Sequence, residues 1–209
     1  MPLNKKYLKN AKLYLILDAQ VVDHARLLHI LKDAVRFGVG IVQLRDKIGT
    51  AKDILVFCRH ALKITRHKIP FIVNDRIDLA LLSGADGIHL GQQDIPYAMA
   101  RQMMGPKKII GVSCQNLKHA MDAQRDGADY VGFGSVFKTK TKPERNPMDL
   151  KLLRDVLNTI EIPIFPIGGI GCGNIATLSK VGATRAAICR DILLAKNTGS
   201  AVKELKQYF

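Results

Sequence analysis

The stretch VNDRIDLALLSGADGIHLGQQD, residues 73–94, decides the fold. A β-branched run stops at Asn74-Asp75, a short helical segment follows, and a second apolar run ends at Gln92-Gln93-Asp94. Two strands joined by one helix run parallel, so their carboxylates emerge at the same edge of the sheet.

The same unit repeats outward in both directions. LYLILD (13–18), IVQLRD (41–46), FIVND (71–75), GIHLG (87–91), IIGVS (109–113), YVGFGSV (130–136), IPIFPIGG (162–169) and AAICR (186–190) read as eight strands. Between them lie amphipathic stretches of helical spacing, such as HARLLHILKDAVRFG (24–38) and AKDILVFCRHALKITRH (51–67). Nearly continuous apolar strands are buried on both faces, as in a parallel sheet jacketed by helices. A doubly wound open sheet has a glycine-rich turn after its first strand, and LYLILDAQ has no glycine. The pattern therefore predicts a single-domain (β/α)8 TIM barrel over residues 1–209, with residues 1–12 as a basic N-terminal arm carrying Lys5, Lys6, Lys9 and Lys12.

A net charge of +14 admits nucleic acid, an acidic membrane or small phosphorylated ligands as partners. Aromatic residues make up only 6% and there is no Trp, which argues against the stacking platforms of nucleic-acid binders. No apolar stretch nears the ~20 residues that cross a bilayer. Cys58, Cys114, Cys172 and Cys189 lie far apart without metal-site spacing and read as reduced, small hydrophobes. A cytoplasmic protein acting on phosphorylated small molecules is expected, with homo-oligomerisation left open.

Barrels of this kind collect chemistry at the carboxyl ends of their strands. Side-chain alternation puts Gln43, Arg45 and Lys47 on one face of the second strand and Leu44 and Asp46 on the other. Asp75 and Asp94 close adjacent strands, where two unpaired carboxylates repel unless a cation joins them. Magnesium suits such a pair, since it takes one or two carboxylates and completes its shell with water and phosphate oxygens; taken alone, Asp75 also has the position of a cap for the next helix. Segment 137–147, with Lys138, Thr139, Lys140, Thr141 and Lys142 closed by Pro143, reads as a lid. Gly168-Gly169, before IGCGN, has the form of a phosphate-cradling turn. His89, between Ile88 and Leu90, reads as a packed histidine rather than a ligand or base.

Taken together, VQLRDK (42–47), VNDRIDLA (73–80), GADGIHLGQQD (84–94), IGVS (110–113), ADYVGFGSVFKTKTKP (128–143) and PIGGI (166–170) resemble the thiamine-phosphate synthase family in order and spacing. The likeness runs from Leu13 to beyond Gly182. It implies a transferase that joins a hydroxymethylpyrimidine diphosphate to a thiazole phosphate with Mg²⁺, releasing pyrophosphate. By this resemblance Gln43, Leu44, Arg45, Asp46, Lys47, Asn74, Ser113 and Lys142 bind the pyrimidine diphosphate, with Arg45, Lys47 and Lys142 assisting departure of the leaving group. Asp75 and Asp94 hold the metal, and Thr139, Lys140, Thr141, Gly169, Cys189 and Arg190 bind the thiazole phosphate. The chain departs from the family pattern at Ser135 and Lys138, which predicts a more mobile and more basic lid, at Leu17, and at the end of strand eight, where the family has a small Ser and this chain reads Cys189-Arg190-Asp191.

Two other readings compete. A thiazole tautomerase on the same fold carries a catalytic histidine soon after strand five, where this chain has Gln115 and, a turn later, His119. A non-catalytic phosphate- or nucleic-acid-binding barrel explains the charge but leaves two acidic residues in the mouth unexplained.

Overall fold

The computed structural model describes residues 6–209. Residues 1–5, which include Lys5 of the basic arm, lie outside the described residues. The elements in chain order are α1 (Lys6–Asn10), β1 (Leu13–Asp18), α2 (His24–Phe37), β2 (Ile41–Arg45), α3 (Ala51–Thr65), β3 (Phe71–Asn74), α4 (Ile77–Ser83), β4 (Gly87–Leu90) and α5 (Tyr97–Met104). There follow β5 (Ile109–Cys114), α6 (Leu117–Asp126), β6 (Tyr130–Phe133), α7 (Leu150–Thr159), β7 (Ile164–Pro166), α8 (Ile175–Lys180), β8 (Ala186–Ile188), α9 (Arg190–Leu193) and α10 (Thr198–Lys206).

All eight strands expected from the sequence are present, parallel, in the order β7-β6-β5-β4-β3-β2-β1-β8. A bridge between Ile167 and Ala187 brings β7 to β8 and closes the barrel. Strand ends differ slightly from the expectation, and Arg190 opens α9 instead of ending β8.

Alternation along the strands builds two cores. Leu13, Leu15, Leu17, Val42, Leu44, Val73, Ile88, Ile110, Val131 and Ile188 face outward and pack on buried helix residues such as Leu27, Leu31, Phe57 and Ala61. Tyr14, Ile16, Ile41, Ile72, Ile109, Tyr130, Phe165 and Ala187 fill the barrel itself. Each fully buried Leu, Ile or Phe contributes about 1.5–3 kcal/mol relative to exposure, so the double lining is the main source of stability.

The jacket helices begin and end where side chains dictate. Asp23 accepts from Arg26 N at 2.7 Å to cap α2, and Thr50 accepts from Asp53 N at 3.2 Å to cap α3. Such caps are each worth about 1 kcal/mol. Gly38 leaves α2 at φ +95°, a left-handed conformation that glycine adopts without Cβ strain. No helix among the described residues is long and apolar enough to cross a membrane.

Candidate functional site

The carboxyl ends of the strands surround a cleft of about 900 Å³, open at the barrel mouth. Its lining includes Arg45 and Lys47 after β2, Asn74 and Asp75 after β3, Asp94 after β4 and Ser113 on β5. Lys138, Thr139, Lys140, Thr141 and Lys142 come from the β6–α7 segment, Gly168 and Gly169 from the turn after β7, and Cys189 and Arg190 from the junction of β8 and α9.

Arg45 is anchored on its β1 side. Its Nη1 donates to Asp18 Oδ2 at 3.0 Å and to Gln20 Oε1 at 2.7 Å. Asp18 is 1% exposed and also accepts from Gln20 N at 3.0 Å, so the guanidinium is held by a fixed carboxylate. Asp18 was not singled out by sequence; its position at the end of β1, in register with Arg45, was the available signal.

Asp75 sits at φ +60°, a left-handed conformation uncommon outside glycine. Its N–H donates to His89 O at 2.9 Å, tying the turn to β4. The carboxylate accepts from Asn74 Nδ2 at 2.7 Å and pairs with Lys47 Nζ. It caps no helix: α4 begins after Arg76 without a side-chain cap. Asp94 accepts from Gly91 N at 2.6 Å and faces Asp75. Burial, and then Asp75, hold the Asp94 carboxyl above its ordinary range. Among the described residues no third His, Cys, Asp or Glu joins the pair. Two hard carboxylates, one of them already matched by an ammonium, suit a cation that draws its remaining ligands from water and a phosphorylated molecule.

Lys142 reaches the cleft from the opposite rim. Burial, followed by Arg145 and Arg45, lowers its pKa, so its charge is partly desolvated and strongly felt by an anion. Segment 137–147 is fastened at its base. Ser135 is buried, its Oγ donates to Phe137 O at 2.8 Å, and its carbonyl accepts from Met148 N at 2.9 Å. At this end the Ser135 hydroxyl and carbonyl tie the start of the segment to Phe137 and Met148.

The turn after β7 needs its glycines. Gly168 has φ +108°, and a Cβ there would lie 2.1 Å from Ser135 Oγ. At Gly169, φ +63°, a Cβ would lie 2.3 Å from Lys138 O. Arg190 lies beside this turn, and Asp191 is occupied elsewhere, accepting from Cys172 N at 3.1 Å. Arg190 has no ion-pair partner among the described residues.

Three residues of segment 43–47 are placed away from the cleft. Leu44 is 1% exposed in the outer core, and Asp46 turns outward to His24 Nε2 at 2.7 Å and to the N–H groups of Ile48 and Gly49. The pleat is the physical reason: the outward face of β2 belongs to the helices. Gln43 faces inward but lies at the floor, 4% exposed, donating to Tyr14 Oη. His89 is packed as expected, between Tyr130 Oη at 3.0 Å and Ser113 Oγ at 2.9 Å. Burial, and then Lys142, lower its pKa to about 4, so the ring is neutral at physiological pH. Gln115 lines the cleft, whereas His119 lies on α6 outside that lining.

Residues 13–192 match the thiamine monophosphate synthase family. The chain is 43% identical over 190 residues to a thiamine-phosphate synthase of Gloeobacter violaceus, covering 90% of this chain and 54% of that protein. It is 36% identical over 198 residues to the thiamine-phosphate synthase of Clostridium tetani, covering 94% of this chain and 95% of that protein. Among solved structures, it resembles the thiamine phosphate pyrophosphorylase of Pyrococcus furiosus with a TM-score of 0.86 at 31% identity, covering 98% of this chain and 96% of that one.

Proposed function

The chain belongs to the thiamine monophosphate synthase family, and we propose that the cleft of this transferase condenses 4-amino-2-methyl-5-(diphosphooxymethyl)pyrimidine with 4-methyl-5-(2-phosphoethyl)thiazole into thiamine phosphate and pyrophosphate. The observation that carries the reading is the convergence of Arg45, Lys47 and Lys142 with Asp75 and Asp94 in one cleft.

Two anionic groups must be held at once. The diphosphate fits the rim formed by Arg45, Lys47 and Lys142, and the thiazole phosphate fits the glycine turn with Thr139, Thr141, Cys189 and Arg190. During the reaction the bond from the methylene carbon to the diphosphate oxygen breaks and its electron pair leaves with pyrophosphate. The thiazole nitrogen supplies the pair for the new carbon–nitrogen bond. No proton has to move, so the site works by positioning and by neutralising charge on the leaving group.

Arg45 suits that task because Asp18 and Gln20 fix its guanidinium before the ligand arrives. Lys142 suits it because burial has removed much of its hydration. Asp75 and Asp94 would hold Mg²⁺, which when bound would neutralise diphosphate charge as a Lewis acid. A cytoplasmic location is part of this reading: all four cysteines are unpaired, as in a reducing compartment. The tautomerase alternative is disfavoured by the place of His119 outside the cleft lining.

Pyrophosphate release from purified protein tests the reading. Release should need both substrates and Mg²⁺ and should stop with EDTA. Well-folded protein that releases none with both substrates and the metal present would overturn it.

A further inference from the structure

The outer surface of the barrel is unevenly finished. Six of the ten large apolar side chains left exposed among the described residues lie on three consecutive helices or just before one of them: Leu81 and Leu82 on α4, Ile95 before α5, Met99 and Met103 on α5, and Met121 on α6. Leu82 is 74% exposed, Met99 56% and Met103 53%. The three helices are neighbours in the jacket, with α5 packed against both α4 and α6. Apolar side chains scattered singly over a surface are ordinary, but a group on one face marks a surface that meets something.

Charge sets the same sector apart. The chain carries a net charge of +14, yet here the cations are matched. Arg76 pairs with Asp78 at 2.6 Å, Lys118 and Arg125 both pair with Asp122 at 2.8 Å, and Arg125 also reaches Asp126 at 3.2 Å. Arg101, the one basic side chain of α5, is turned to Asp129 at 2.8 Å and to the carbonyls of Gly105 and Lys108. The exposed face of α5 is left with Ala98, Met99, Gln102 and Met103, none of them charged. The next helix beyond α4 is the opposite case: on α3, Lys52, Arg59 and Lys63 are exposed, and the single acid Asp53 is engaged by the Thr50 hydroxyl at 2.6 Å.

We propose that the face formed by α4, α5 and α6 is where two copies of this chain associate, about a two-fold axis close to Met99 and Met103. Two bodies of charge +14 repel, so they meet at least cost where neither presents a free cation. A polyanion or an acidic protein would be drawn to α3 and to the basic cleft instead, leaving an uncharged face bare. A two-fold contact sets one patch against itself. The α5 face meets that condition, because Met99 and Met103 stand one turn apart at i and i+4 and can interleave with their own copies. Methionine is unbranched and polarizable, so it repacks against its copy without a preformed pocket. A face confined to three helices gives an association of the weak, reversible class.

Association of this kind leaves the mouth of the barrel open. None of the six apolar side chains is among those lining the cleft, although Ile95 directly follows Asp94. The pairing therefore does not depend on what the cleft binds, and it stands or falls apart from the functional reading.

Sedimentation velocity of the full chain across a concentration series tests the proposal. The mass should rise from 23.1 kDa toward twice that value as concentration increases. The dissociation constant should fall at about 1–100 μM, the range of a weak interface. Raising NaCl from about 0.05 to about 0.5 M should tighten the pair, because salt screens repulsion between like-charged copies. Met99→Lys and Met103→Lys each set a cation near its own copy and should weaken association at least about tenfold. Leu194→Lys adds the same charge at an exposed apolar position outside this face and should leave the constant within about twofold. Melting temperatures check the folding of each variant, and Met103→Gln, expected to weaken association about threefold, decides the matter if the lysine variants do not fold. A mass of 23.1 kDa up to about 200 μM overturns the proposal. So does a dimer that the methionine substitutions leave intact, one that Leu194→Lys weakens equally, or one that loosens as salt rises.

Discussion

Lys47 and Asp75, from the ends of adjacent strands, form an ion pair at the cleft mouth, and Asp94 faces the same carboxylate. Lys47 thus offsets the charge of Asp75 in the described structure, and partial burial, followed by Asp75, holds the half-exposed Asp94 carboxyl above its ordinary range. Asp75→Asn and Asp94→Asn are each expected to lower Mg²⁺-dependent kcat/KM by at least about 100-fold, on the order of 3 kcal/mol of lost charge stabilisation. Melting temperatures should hardly move, since both residues lie at the rim. Steady-state kinetics across a Mg²⁺ titration, beside thermal unfolding, checks this, and near-normal turnover in both variants removes the metal assignment.

Arg190→Ala should raise KM for the thiazole phosphate about tenfold and leave KM for the pyrimidine diphosphate within about twofold. The reason is local: Asp191 is taken up by Cys172 N, and Arg190, beside the glycine turn, has no ion-pair partner among the described residues. Separate titrations of the two substrates measure the split. An improved KM in the variant would mean that the side chain crowds the site instead.

Gly111→Ala is expected to cost about 1–3 kcal/mol, lowering the melting temperature by about 2–10 °C, because the new methyl would enter the Tyr130 ring. Gly173→Ala meets no atom within 4 Å and serves as the control. Equal melting temperatures for the two would refute the account of the barrel floor.

Asp46 carries a pH dependence of opposite sign to Asp94. Burial alone would raise its pKa, but the N–H groups of Gly49 and Ile48 and the His24 ring outweigh burial and lower it. A folded-state pKa below the unfolded value of about 3.9 stabilises the fold above that value, and the contribution is lost as pH falls through the folded pKa. Asp46→Asn should therefore melt lower than wild type at pH 7, with the gap narrowing below about pH 4. Thermal unfolding across that range reads the difference directly.

Much of this molecule was legible because its strands are short, apolar and bounded by turn residues. The eight βα units follow from the pattern, and alternation correctly put Arg45 and Lys47 on the face opposite Leu44 and Asp46. The hydrogen bonds of Gln43 to Tyr14 and of His89 to Tyr130 and Ser113 were not legible, because they join five strands and no local period reports which inward residues meet across a barrel. Asp18 was missed for the same reason: its role depends on Arg45 from the neighbouring strand. Glycines inside IIGVS and YVGFG were the available clue, since a strand interior gives up a side chain only where something large approaches. The conformation of Asp75 was hidden because Asp tolerates positive φ better than most residues, yet no local pattern marks which Asp adopts it.

The seam of the barrel also has a kinetic consequence. β7 meets β8 through the Ile167–Ala187 bridge, whereas β1 and β2 are paired over five residues. Amide protons at this junction should exchange with solvent before those of β1 and β2. Gly168-Gly169 and Cys189-Arg190 leave the two sides of the same seam and border the same cleft. A phosphate held between them would act as a non-covalent staple, so a bound ligand closes the ring of strands more firmly than the backbone does by itself.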